Sequence, residues 1–161
     1  MSRIDIPTAL TLRETRMLRR LAKGKSVLEI GCLTGYSTIN MAQVAKHVTT
    51  IDPHEGYPRA HPSSTYRIFR HNLERFNIQN VTLIKDTAQN VLPLPNKIFD
   101  LVFIDTTGQY KLTKFCLENV KAKIITCHDF SRRSCEGVNK SVLEFSKNKT
   151  LRVVNTLAII T

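Results

Sequence analysis

Ser26-Val27-Leu28-Glu29-Ile30-Gly31-Cys32-Leu33-Thr34-Gly35-Tyr36-Ser37 is the stretch that decides how this 161-residue chain folds. Val27, Leu28 and Ile30 make a short apolar run suited to a buried strand. Glycines at 31 and 35 then punctuate a turn, and a helix opens at Tyr36-Ser37. Glycine lets backbone come close to a ligand where a Cβ would collide. Twenty-one residues after Gly31 a second strand, Val48-Thr49-Thr50-Ile51, ends in an acid, Asp52. An acid at the tip of the second strand of a βαβ unit is placed to accept hydrogen bonds from ribose hydroxyls. The pattern outlines a nucleotide site.

The alternation continues on both sides. Thr11-Leu12-Arg13-Glu14 is a capping box, and the helix it starts carries Leu12, Met17, Leu18 and Leu21 inward before stopping at Gly24. A helix over 36–46 turns Ile39, Met41, Ala42 and Ala45 to the sheet. Residues 53–65 contain three prolines and little periodicity, so they read as a loop, of a length usually functional or mobile. Helix 66–77 follows, with Ile68, Phe69, Leu73 and Phe76 on one side. Strand three (81–84) leads to Asp86, and strand four (101–104), apolar throughout, ends at Asp105; both its faces must be covered, as at the centre of a parallel sheet. A helix near 111–119, strand five (123–127) ending at His128-Asp129, and a helix near 136–147 burying Val138, Val142, Leu143 and Phe145 come next. The runs 151–155 and 157–161, with Thr156 between them, form a hairpin or a bulged pair. The expected fold class is α/β: an open, mostly parallel Rossmann-like sheet of about seven strands, helices on both faces, and a C-terminal antiparallel hairpin.

Length and composition predict one domain over 1–161, without a separate substrate domain. No apolar run approaches the roughly 20 residues that span a bilayer. Met-Ser-Arg-Ile-Asp-Ile-Pro lacks the apolar core of a signal peptide, so a cytoplasmic protein with no membrane partner is expected. Cys32, Cys116, Cys127 and Cys135 have no paired spacing and read as reduced thiols, Cys32 as a small side chain filling a tight turn. The net charge of +11 is unusual. Arg13, Arg16, Arg19, Arg20, Lys23 and Lys25 crowd the first helix and its exit, and Arg67, Arg70, His71 and Arg75 recur on a later one. Such stripes could attract nucleic acid by counterion release or serve as solvated faces. No aromatic residues are interleaved with them as stacking platforms.

What the turn lacks narrows the choice of nucleotide. A pyrophosphate site wants Gly-x-Gly-x-x-Gly, whereas here the spacing is Glu29-x-Gly31-x-x-x-Gly35. The carboxylate would repel a pyrophosphate and could attract an ammonium group, which suits a ligand with ribose at one end and an amino acid at the other. S-adenosylmethionine (SAM) is such a ligand. Here the chain resembles the class I SAM-dependent methyltransferases, and within them small O-methyltransferase-type domains that begin Leu-Glu-Ile-Gly-x-x-x-Gly-Tyr-Ser. Phe99-Asp100-Leu101-Val102-Phe103-Ile104-Asp105 is similar to their Phe-Asp-Leu-Val-Phe-Ile-Asp block, and the likeness runs from about residue 15 to the end.

The resemblance implies roles. Gly31–Gly35 would pass under the methionine part of SAM, with Glu29 orienting the loop and Tyr36 and Ser37 meeting the carboxylate. Asp52 would bind the ribose diol, Pro53 and His54 would border the adenine, and Asp86, Thr87 and Ala88 would contact its edge. Asp105 would face the methionine amine or the acceptor. Asp52, Asp86, Asp105 and Asp129 each stand at, or two residues beyond, a strand end, so a parallel sheet brings them to one rim. Asp105, His128 and Asp129 are the candidate catalytic residues; His128 is either a general base or a structural histidine.

There are departures from the family pattern. After Asp105, relatives often have a second acid and a basic residue; here Thr106-Thr107-Gly108-Gln109-Tyr110 stands there. Metal-dependent relatives carry Asp-Asn after strand five, but Asp129 is followed by Phe130. No metal-ligand set is assigned, and a divalent metal stays open. The expected activity is methyl transfer from SAM to a small-molecule oxygen acceptor. The alternatives are an RNA or protein methyltransferase using the basic surface, or a catalytically silent SAM-binding protein. The 53–65 loop, the segment 130–136 with Arg132 and Arg133, or a second subunit of a homo-oligomer would shape the acceptor pocket.

Overall fold

The computed structural model describes residues 4–55 and 64–161. In chain order its elements are α1 (Leu12–Ala22), β1 (Ser26–Ile30), α2 (Tyr36–Ala42), β2 (His47–Ile51), α3 (Tyr66–Arg75), β3 (Val81–Ile84) and α4 (Ala88–Val91). There follow β4 (Phe99–Ile104), α5 (Tyr110–Asn119), β5 (Ala122–Cys127), a 3-10 turn (Arg133–Cys135), α6 (Glu136–Phe145), β6 (Leu151–Val154) and β7 (Leu157–Ile160).

The strands form one seven-stranded sheet in the order β3-β2-β1-β4-β5-β7-β6. β1 to β5 run parallel, and β7 pairs antiparallel with both β5 and β6. The chain moves outward from β1 through β2 to β3, then returns to place β4 on the other side of β1. Strand order therefore reverses between β1 and β4, the place where open α/β sheets hold their ligands.

Successive residues of β4 point to opposite faces, and both faces are covered. Val102 and Ile104 join one core with Leu117 of α5 and Val138 and Val142 of α6. Leu101 and Phe103 join another with Leu18 and Ala22 of α1 and Met41 of α2. That two-sided burial explains why the strand is apolar at every position from 101 to 104.

Several inward assignments read from the sequence are displaced. Leu12, Ile68 and Leu143 are 70%, 43% and 55% exposed. Leu12 lies six residues from the fully buried Leu18, about 120° away around the helix axis. Ile68 and Leu143 sit one position before Phe69 and after Val142, about 100° off the packed stripe. α2 stops at Ala42, four residues earlier than expected, and a short α4 lies where no periodic segment had been placed.

The capping box forms as its residues predict. The Glu14 amide donates to Thr11 Oγ1 (3.3 Å), and the Thr11 amide donates to Glu14 Oε2 (2.8 Å). Glu14 is also fully buried, because its Oε1 accepts the amide (2.8 Å) and hydroxyl (2.7 Å) of Thr156 in the β6–β7 turn. One carboxylate thus caps α1 and fastens it to the end of the sheet. These hydrogen bonds outweigh burial and hold its pKa below the ordinary value. Among the described residues no helix is long and apolar enough to cross a membrane. Thr11→Ala should cost about 1 kcal/mol in urea unfolding with an unchanged m-value; an unchanged midpoint would mean that the Thr156 bonds hold Glu14 without the cap.

Candidate functional site

A cleft of about 650 Å³ opens at the carboxyl ends of the central strands. Its walls include Gly31 to Thr34 after β1, Asp52 and Pro53 after β2, Thr87 and Ala88 at the start of α4, Asp105 after β4 and Asp129 after β5. Pro7 to Leu10 and Arg132 line it as well.

The floor is a close backbone approach. The Asp105 amide donates to Ile30 O (2.9 Å) and the Gly31 amide to Ile51 O (2.9 Å), carrying the ladder just past the strand ends. Gly31 has φ +87°, and a Cβ there would lie 2.0 Å from the Asp105 carbonyl oxygen. Only glycine fits. Gly35 opens α2 at φ +95°, with the Phe69 ring 3.1 Å from where its Cβ would be.

Asp52 holds the turn in shape. Its Oδ2 accepts the amides of Cys32 (2.8 Å) and Leu33 (2.9 Å), and its Oδ1 accepts that of His54 (2.7 Å). An ionised carboxylate offers about four acceptor positions, so capacity remains for a ligand hydroxyl on the cleft side.

Glu29 is fully buried and does not reach the cleft wall. It accepts the hydroxyls of Ser37 and Thr38, each at 2.5 Å, tying β1 to the first turn of α2. Its part is to orient the loop from beneath, and the Ser37 hydroxyl points to it rather than outward. Burial pushes the Glu29 carboxyl up to about 7; the Ser37 and Thr38 hydrogen bonds oppose this and the nearby Asp105 charge adds to it.

His54, expected beside the adenine, is buried under the turn. Its Nδ1 lies 2.8 Å from Thr65 Oγ1 and its Nε2 3.6 Å from Cys32 Sγ, and its ring packs against Phe69 and Tyr66. Burial lowers its pKa despite Asp52. Asp86 also turns from the cleft, accepting the Thr87 amide (2.7 Å) and the Asn90 side chain (2.8 Å). It shapes the start of α4, while Thr87 and Ala88 present themselves to the cleft. Pro53 and Tyr36 line it.

The structure brings Asp105, His128 and Asp129 together. His128 Nδ1 is 3.3 Å from Asp105 Oδ1 and 3.4 Å from Asp129 Oδ1. Its Nε2 faces Glu14 Oε2 at 3.9 Å, beyond hydrogen-bond distance, and has no partner among the described residues. Burial disfavours charge on the ring, but Asp105, Asp129 and Glu14 raise its pKa above the ordinary value. The His128 side chain is buried and lies behind the cleft wall, so Asp105 and Asp129 face the cleft and His128 supports them. Asp129 also pairs with Arg132 at 2.8 Å.

Two groups of donors lie close enough to share a cation: Cys32 with Asp52 and His54, and Asp105 with His128 and Asp129. In the first, burial lifts the Cys32 thiol well above its ordinary value, and amides occupy most of the Asp52 acceptor capacity. In the second, Asp105 and Asp129 supply two carboxylates, and Mg²⁺ would need waters for the rest of its shell.

Sequence reasoning missed the wall formed by Pro7 to Leu10. The available signal was apolar Ile6 and Leu10 ahead of the capping box, both of which the structure buries. Of the 53–65 loop, Pro53, Glu55 and Thr65 line the cleft; residues 56–63 lie outside the described residues, as do Met1 to Arg3.

Comparison with known proteins bears on this geometry. The family described as a methyltransferase domain matches residues 28–129. A Saccharolobus solfataricus protein assigned as a cobalt-precorrin-6B C(15)-methyltransferase (decarboxylating) is 33% identical over 108 residues, 62% of this chain and 49% of that one. The chain spans between a third and a half of the length of the curated relatives it matches. Among solved structures, a Klebsiella pneumoniae protein assigned as an O-methyltransferase superposes with a TM-score of 0.71 at 23% identity, covering 96% of this chain and 82% of that one. The Streptomyces achromogenes O-methyltransferase TomG, solved with SAM, superposes with a TM-score of 0.64 at 19% identity, covering 95% and 82%. These likenesses establish the fold.

Gly31→Ala should force β1 and β4 apart at the cleft and lower stability by several kcal/mol, from backbone strain and a lost close contact; chemical denaturation measures it, and wild-type stability would refute the close approach. The raised pKa of Glu29 has its own signature. Its neutral form favours the folded state, so that contribution is complete below about pH 4.5 and lost as pH rises through about 7. Thermal unfolding from pH 5 to pH 8 should show this decline in the wild type, and Glu29→Gln should flatten it.

Proposed function

The chain belongs to the methyltransferase-domain family, and from that premise we propose that it binds SAM and transfers the methyl group to an oxygen of a small acceptor. The observation that carries the reading is the Gly31–Asp105 seam with Asp52, Asp105 and Asp129 ranged around one cleft. The free capacity of Asp52 suits a ribose hydroxyl. Pro53, Thr87 and Ala88 offer a mostly apolar border for adenine, and the carboxylates of Asp105 and Asp129 attract the ammonium and sulfonium charges of the cofactor.

Methyl transfer asks little covalent work of a protein. The acceptor oxygen attacks the methyl carbon, the carbon–sulfur bond breaks, and sulfur leaves as a neutral thioether. A proton departs from the acceptor oxygen, and Asp105 or Asp129 stands where it can take it. Alignment of the sulfonium with the acceptor supplies much of the rate. A cleft of about 650 Å³ lies inside the usual 300–1,000 Å³ range of small-molecule pockets, room for a nucleoside cofactor and a modest acceptor. That size favours a small acceptor over a folded macromolecular surface.

Isothermal titration with SAM and with S-adenosylhomocysteine tests the reading. Wild-type protein should bind both. Asp52→Ala should bind SAM roughly 10- to 100-fold more weakly, the loss of a hydrogen bond to a charged group together with a loosened loop. Folded wild-type protein that takes up neither nucleoside would defeat the proposal.

A further inference from the structure

The charge on the outward face of α1 is of one sign. Of the chain's 13 acids, Glu14 and Glu29 are buried inside the fold, and Asp52, Asp105 and Asp129 line the cleft. Arg13, Arg16 and Arg20 of α1 and Lys23 at its C-cap follow one another at intervals of three, four and three residues, and all four are exposed. Such spacing sets them in a single stripe on a helix, about 15 Å long.

No carboxylate among the described residues pairs with any of these four. Some cations elsewhere do have partners, Arg70 with Glu74, Arg75 with Asp5, Lys114 with Glu118 and Glu144, and Lys123 with Asp100; what distinguishes α1 is that its exposed cations stand in one row with no acid among them. The one acid of α1, Glu14, is buried and bonded to Thr11 and Thr156. Arg19 stands apart from the stripe, because it donates to Asn40 O (2.9 Å) and Gln43 Oε1 (2.6 Å). Like charges at three- and four-residue spacing destabilise a helix slightly, and a polyanion laid along the stripe would relieve that repulsion.

We propose that the Arg13–Arg16–Arg20–Lys23 stripe of α1 docks a single strand of nucleic acid through its phosphates. Successive cations rise by about 4.5 to 6 Å along the axis, an even series that suits an evenly charged, extended backbone. An anionic membrane fits less well: the apolar side of α1 is packed into the core through Leu18 and Ala22, and Leu12 is the one strongly exposed large apolar side chain of the helix, too little to insert into a bilayer. The acidic cleft next to the start of α1 would repel phosphates, so the strand lies along the helix rather than in the cleft. No aromatic side chain belongs to the stripe, so binding is electrostatic and indifferent to base sequence. This surface is separate from the SAM reading and does not rest on it.

Fluorescence anisotropy with a labelled oligouridylate RNA provides the test. Four phosphate contacts on a single strand predict a log–log salt slope near −2.8, so the Kd should rise about 50-fold from 50 to 200 mM salt. A variant carrying Arg13→Gln, Arg16→Gln, Arg20→Gln and Lys23→Gln should lose roughly 30-fold or more in affinity at 50 mM salt. The pair Arg16→Gln and Arg20→Gln, a milder change should the fourfold variant fold poorly, should halve the slope. Arg67→Gln with Arg70→Gln on α3 should change the Kd less than about threefold. Wild-type affinity in the α1 variants, or binding to phosphatidylserine vesicles with none to the RNA, would overturn the proposal. SAM calorimetry on the same samples keeps the two readings apart: α1 variants should bind SAM as the wild type does, and a protein that binds RNA without SAM would refute the cofactor reading alone.

Discussion

At the boundary between β1 and β4 the Gly31 backbone presses against the carbonyl of Asp105, so closely that a Cβ would stand 2.0 Å from its oxygen. Where strand order reverses, the loops on either side leave in opposite directions and open a crevice. Here the seam sets the floor of the cleft, and the rest of the site is hung from it. The turn after Gly31 is held by two amides on Asp52, the first turn of α2 by two hydroxyls on Glu29, and Asp105 is backed by His128. Loosening the seam would disturb all three supports at once.

The acids around the site divide into those that face the cleft and those that hold up the first group. Asp52 does both, which ties the shape of the glycine turn to whatever occupies the cleft. Glu29 and Glu14 are wholly buried and work through hydroxyl and amide donors. His128 sits where three carboxylates converge, and although burial disfavours charge on its ring, Asp105, Asp129 and Glu14 raise its pKa above the ordinary value. Burying these groups costs desolvation, and the fold offsets it with short hydrogen bonds rather than surface ion pairs.

Much of this was legible in the sequence. The glycine spacing, the acid at each strand end and the all-apolar run at 101–104 follow from rules that act over a few residues, so the fold class and the convergence of Asp52, Asp105 and Asp129 could be read directly. What could not be read were the directions of side chains. Ile68 and Leu143 are hydrophobic residues one step off the packed stripe and Leu12 lies about 120° from Leu18, and a list of apolar positions does not reveal which of them is buried. His54 and Asp86 follow strand ends, as a ligand contact would, yet they turn inward to Thr65 and to Asn90. The Glu14–Thr156 contact joins residues 142 apart, a distance over which no local pattern carries information. The Pro7–Leu10 wall left a fainter local trace, the apolar Ile6 and Leu10 that the fold buries.

A crystal structure of the protein grown with saturating SAM would examine the central claim most directly. The account predicts density for the nucleoside in the cleft, with a ribose hydroxyl on Asp52 and the sulfonium above the Gly31–Asp105 seam. An empty cleft at saturating SAM, or a nucleoside bound with its ribose away from Asp52, would contradict it.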